Sequence, residues 1–135
     1  MRFLLIFLFL ATPVAACEAS FRAGMRAFDA ADRALTATED ALYRGLGWVS
    51  RGRVLDRLEN LSATTTACEE IARLRDDLAR ATRFLERARA QFTLARSLCP
   101  GENRRRAEAN LDALGDTAAA IAVQATYLAD LAERC

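Results

Sequence analysis

The chain has 135 residues, a formal net charge of +1, four cysteines and no histidine. That length holds one domain, and the missing histidine removes the commonest general base and the commonest metal ligand. All 19 basic residues are arginine, so Schiff-base and P-loop lysine chemistry are excluded as well.

Residues 1–16 read as a cleaved secretory signal. Met1-Arg2 is a positive n-region, Phe3–Leu10 is an unbroken apolar run, and Val14-Ala15-Ala16 supplies small residues ahead of Cys17. The run is too short to span a bilayer. Cleavage leaves residues 17–135 as a single helical domain and removes Arg2, so 18 arginines face 18 acids. A mature charge near zero offers no global field for nucleic acid. Val14-Ala15-Ala16-Cys17 also resembles a bacterial lipobox, which would lipidate Cys17 and tether the protein to the outer envelope. Four cysteines is an even number, and lipidation would leave three. Simple export to the periplasm or the medium is therefore the expectation, with the lipoprotein as the alternative. Membrane contact is expected only if Cys17 is lipidated.

The mature chain reads as all-α, an antiparallel up-down-up three-helix bundle of long coiled-coil-like helices. The first helix, at about 18–44, carries Cys17, Phe21, Gly24, Phe28, Ala31, Leu35, Thr38 and Leu42 at alternating steps of four and three. Gly45–Gly52 reads as a loop, and Val54, Leu58 and Leu61 predict a short helix at about 53–61. Thr66-Ala67-Cys68-Glu69 reads as a capping box with Thr66 at the cap. The helix it opens, at about 66–98, repeats Ile71, Leu74, Leu78, Ala81, Leu85, Ala88, Phe92, Ala95 and Cys99. Phe84, Leu94 and Leu98 add a second stripe, so this helix is expected to be central. Pro100-Gly101 stops it. The last helix, at about 102–134, carries Ala107, Leu111, Leu114, Ala118, Ile121, Ala125, Leu128, Ala132 and Cys135.

This topology selects the disulfides. Export makes bridges the default, and four cysteines allow three pairings. Cys17 and Cys99 lie at one end of the bundle, Cys68 and Cys135 at the other. Any other pairing crosses about 40 Å or more of helix at 1.5 Å per residue, whereas bridged Cα atoms lie within about 7 Å. Cys17–Cys99 and Cys68–Cys135 are therefore expected. No metal site is expected, because no Cys-x-x-Cys pair is present, and no cofactor is expected.

Few segments carry chemistry. Leu46, Trp48, Val49 and Arg51 lie in the glycine-bracketed loop and are the candidate partner contacts, since aromatic and arginine side chains anchor interfaces. Arg104-Arg105-Arg106 opposes the dipole at the start of the third helix and is a candidate contact for an anionic surface. Glu69–Arg73 and Asp76–Arg80 have the spacing of helical ion pairs. No catalytic residue is assigned: the serines lack a histidine partner and adjacent carboxylates splay on a helix. The expected function is that of an exported, non-catalytic interaction or structural module whose partner is another extracytoplasmic protein or itself. A small-molecule carrier or an enzyme with an unrecognised pocket is the further alternative.

Overall fold

The computed structural model describes residues 13–46 and 65–135, with the side chains of 42–46 and 65–67 left aside. Three helices account for them: α1 (Pro13–Leu46), α2 (Thr65–Leu98) and α3 (Gly101–Ala132), with no strand among the described residues. They run up, down and up. α2 packs closely on both neighbours, while α1 and α3 approach each other far less. The central place expected for the second helix is the one it takes.

The seven-residue repeat explains the core. Ile71, Leu74, Leu78, Ala81, Leu85, Ala88, Phe92 and Ala95 of α2 are all buried, and α1 answers with Gly24, Ala31, Leu35 and Thr38. α3 contributes Leu114, Ile121 and Leu128 from its predicted stripe. Gln124, Tyr127 and Leu131 are buried too, although they lie off that stripe, because α3 needs a second line to face α1. The predicted stripe of Phe84, Leu94 and Leu98 does not hold together. Phe84 packs against the core, but Leu94 and Leu98 are exposed. Leu94 lies one heptad after Arg87, on the solvent line of α2, and Leu98 lies in the last turn, where α1 has little more than its own first turns to offer.

Several boundaries shift. α1 opens at Pro13 rather than near 18. Proline suits a first helical turn, since its missing N–H is an orphan there anyway. Pro13, Val14 and Ala15 are exposed, so local preference rather than core burial sets this turn. At its other end α1 runs through Gly45 and Leu46, which were expected in the loop. α2 opens at Thr65, so Thr66 stands inside the first turn and is not the cap. The short helix expected at 53–61 lies outside the described residues. Between α2 and α3 only Cys99 and Pro100 are non-helical. Gly101 turns the chain with φ +55, a left-handed value that side chains resist. Threonines inside the helices return their hydroxyls to carbonyls one turn back, as Thr38 does to Ala34 at 2.9 Å and Thr82 to Leu78 at 3.1 Å.

Candidate functional site

Both expected bridges form. Cys17–Cys99 ties α1 to α2 at one end, with Cα atoms 5.0 Å apart. Cys68–Cys135 ties α2 to α3 at the other, with Cα atoms 5.8 Å apart. The central helix is thus stapled to a different neighbour at each end. The end that holds Cys17–Cys99 is called the bottom below, and the other the top.

α1 and α3 meet through polar side chains at a fixed register. Asn110 Nδ2 donates to Met25 Sδ at 3.6 Å, and Gln124 Nε2 donates to Glu39 Oε1 at 2.8 Å, each pair 85 residues apart. The Arg106 guanidinium stacks over the Phe21 ring, 5.5 Å from its centroid, at the same offset. Two parallel helices held at one offset are in register from bottom to top. Gln124 is only 4 % exposed, and its Oε1 finds no hydrogen-bond partner among the described residues.

The arginines predicted to meet an anionic surface all have partners within the molecule. Arg104 pairs with Glu108 at 3.4 Å, Arg105 with Glu102 at 2.9 Å, and Arg106 lies over Phe21. The cluster sits at the bottom, beside the end of α2. Of the candidate partner contacts, Leu46 is the last residue of α1, at the top, while Trp48, Val49 and Arg51 lie outside the described residues.

The ion pairs on α2 differ by one residue from those the spacing predicted. Arg73 binds Glu70, with Nε–Oε2 at 2.9 Å, and reaches Asp77 at 3.4 Å; Arg80 pairs with Asp77. Glu69 and Asp76 are exposed, whereas Glu70 and Asp77 stand one heptad apart on the half-buried flank. Carboxylates fixed against the bundle make better partners than free ones. The Arg73 hydrogen bond holds the Glu70 carboxyl below its ordinary range, with desolvation acting weakly the other way.

The feature missed in the sequence lies between α2 and α3, on the side away from α1. Thr82, Leu85, Glu86 and Arg89 of α2 face Ala118, Ile121, Ala122 and Ala125 of α3 across a groove of about 360 Å3. A smaller one, of about 190 Å3 and lined by Arg75, Leu78 and Ala79, continues it upward. Beyond the groove, Ala119, Val123 and Thr126 are exposed, Val123 at 68 %. No charged residue occurs between Asp116 and Asp130. A helix surface normally carries charge on its solvent face, and that uncharged run was the available signal. No cluster of metal-ligating residues occurs among the described residues, and no described helix is long and apolar enough to cross a membrane.

Comparison with protein-family models, with curated proteins and with solved structures finds no match. The class is therefore defined by architecture alone: a disulfide-stapled three-helix bundle.

Proposed function

We propose that the chain is an exported, non-catalytic helical module that serves outside the cytoplasm as a structural or protein-interaction element. The observation that carries this reading is the pair of bridges, one at each end of the central helix. Such bridges persist in oxidising compartments, and the signal-like pattern of residues 1–16 supplies the route to one. Cys17 supports simple cleavage over lipid anchoring, because its sulfur is shared with Cys99 and is not open to a thioether.

The partner that the α2–α3 face fits best is a second copy. Arg89 and Arg96 run along α2, and Glu108 and Asp112 run along α3 at nearly the same heights. A two-fold axis parallel to the bundle would set the basic edge of one copy against the acidic edge of the other, just below the uncharged strip of α3. The two grooves together run about 20 Å at 1.5 Å per residue, which is small for an interface, so the dimer is expected to dissociate readily.

The first experiment is an intact mass of the protein recovered from its own envelope, with and without reductant. A mass of residues 17–135 that rises by four hydrogens on reduction supports the reading. A mass carrying a diacylglycerol and an acyl chain refutes it in favour of the lipoprotein. Sedimentation of the oxidised protein then tests the partner. Concentration-dependent dimers that Ala122→Glu abolishes, with helicity kept, support the second copy. A monomer at all concentrations shifts the search to a different protein, found by cross-linking in the envelope.

A further inference from the structure

The two bridges differ in their surroundings. Cys17 and Cys99 are each 4 % exposed and pack with Ala95, Ala107 and Phe21. Cys68 is half-buried, and Cys135 is exposed beyond the last residue of α3. Thiol–disulfide exchange needs an attacking thiolate to reach a sulfur, so access controls it. We propose that Cys68–Cys135 is the exchange-active bridge of this protein, a site where a thiol or dithiol reductant opens the top of the bundle while Cys17–Cys99 stays closed.

Exposure and the helix ends decide which sulfur is attacked. Cys68 stands in the first turn of α2, where the partial positive charge of the helix N-terminus stabilises a thiolate. Glu69 and Glu70 act in the opposite sense, but Glu70 is already paired with Arg73. Cys135 stands at the negative end of α3, its sulfur 4.0 Å from the Leu131 carbonyl oxygen. Cys135 is the exposed partner and Cys68 the half-buried one, so Cys135 Sγ is the attacked sulfur and Cys68 the leaving group. A bond forms between the reductant sulfur and Cys135 Sγ. The Cys68–Cys135 bond breaks, and its electron pair goes to Cys68. With a dithiol, the second thiol attacks the reductant's own sulfur in the mixed disulfide and releases Cys135. The dithiol ends as a disulfide, two electrons pass to the bridge, and both cysteines take up protons.

The fold sets the consequence. Cys17–Cys99 and the two-residue link to Gly101 hold all three helices at the bottom. At the top only Cys68–Cys135 joins α3 covalently to the rest, and α3 packs sparsely on α1. Opening that bridge leaves the upper half of α3 held by packing alone, while the lower half stays tethered. This does not depend on the interaction reading: a protein with either function would carry the same asymmetry.

The test uses the oxidised full-length mature chain. Limiting dithiothreitol is added at neutral pH, the reaction is quenched with acid, new thiols are alkylated, and peptides are mapped by mass. Cys68 and Cys135 are expected to be labelled at least about tenfold faster than Cys17 and Cys99, because the buried bridge must wait for local opening. Equal rates, as when global unfolding exposes both bridges together, or faster labelling at Cys17 and Cys99, would overturn the proposal. Limiting glutathione in place of the dithiol traps the mixed disulfide. Glutathione on Cys135 with alkylated Cys68 is expected; glutathione on Cys68 would overturn the assignment of the attacked sulfur. Hydrogen exchange of the half-reduced protein is expected to quicken from about residue 118 to the end of α3 and to stay slow around Ala107. Uniform quickening would overturn the half-open state.

Discussion

Gly24→Ala sets two effects against each other. In the interior of a helix, alanine is favoured over glycine by about 1 kcal/mol, so propensity predicts a more stable protein. The packing predicts the reverse. A Cβ at position 24 would lie 2.8 Å from Cδ1 and Cε1 of Phe92 and 3.0 Å from its Cζ, where ordinary contacts begin at 3.4 Å. The ring cannot yield cheaply. It is fully buried, and Phe21 stands edge-on to it with centroids 5.7 Å apart. Forcing a methyl into a filled core costs roughly 1–3 kcal/mol, which outweighs the propensity gain at most of that range. The net expectation is a loss of about 1 kcal/mol, or about 4 °C in Tm for a domain of this size. Urea unfolding followed by circular dichroism, with both bridges intact, measures it. Shrinking the neighbour supplies the control: in a Phe92→Leu background, Gly24→Ala is expected to be neutral or stabilising. A stabilising Gly24→Ala in the parent chain would refute the close packing of α1 on Phe92.

The other expectations are briefer. Gly101→Ala meets no atom within 4 Å, yet φ +55 makes it costly by about 1–2 kcal/mol, while Gly115→Ala, equally open and within a helix, should stabilise by about 0.5–1 kcal/mol. Their opposite signs are checked by paired thermal melts. Gln124→Leu gives up one hydrogen bond to Glu39 but removes a buried unpaired oxygen, so stability should change by less than about 1 kcal/mol, in either direction. A loss well above that, read from denaturant midpoints, would show that the polar contact dominates. Glu70 should titrate below its ordinary carboxylate value because of Arg73. Its small stabilising contribution is complete above that ordinary value and disappears as pH falls through the lowered one. Carbon-detected NMR titration should show Arg73→Gln returning Glu70 toward the usual range.

The repeat in the sequence was enough to place the core of α2 almost residue by residue, because one buried line serves a helix that touches two neighbours through alternating sides. It was also enough to pair the cysteines, since a helix of this length keeps its ends far apart and only one pairing stays short. The repeat said less about α3. A stripe drawn through Ala118 and Ala125 marks the side toward α2, but burial of Gln124, Tyr127 and Leu131 depends on where α1 sits, and no period within α3 records that. The Glu70–Arg73 pair was missed for a related reason. Spacing alone favours Glu69–Arg73 equally, and only the partial burial of Glu70 in the folded bundle fixes which carboxylate is held still.

The placement of the bridges follows from the shape of the bundle. A rod one helix wide around its core buries a single column of side chains, and α3 depends mainly on α2 for its contacts. A bundle of this kind is most easily opened from its ends. In the chain-entropy treatment, bridges across separations of 82 and 67 residues each contribute about 4.5 kcal/mol. The two loops overlap between residues 68 and 99, so the second bridge closed adds less than the first. Their value therefore lies in position as much as in sum. Removing Cys17–Cys99 by a Cys17→Ala, Cys99→Ala double substitution should free the start of α1, where Pro13, Val14 and Ala15 are exposed and Phe21 supplies the main apolar contact. Removing Cys68–Cys135 in the same way should free the upper half of α3, which includes Tyr127, Leu128 and Leu131. The second change exposes far more apolar surface, so it should produce the larger fall in denaturant midpoint. The opposite ranking would mean that the bottom bridge, and not the top one, holds the core together.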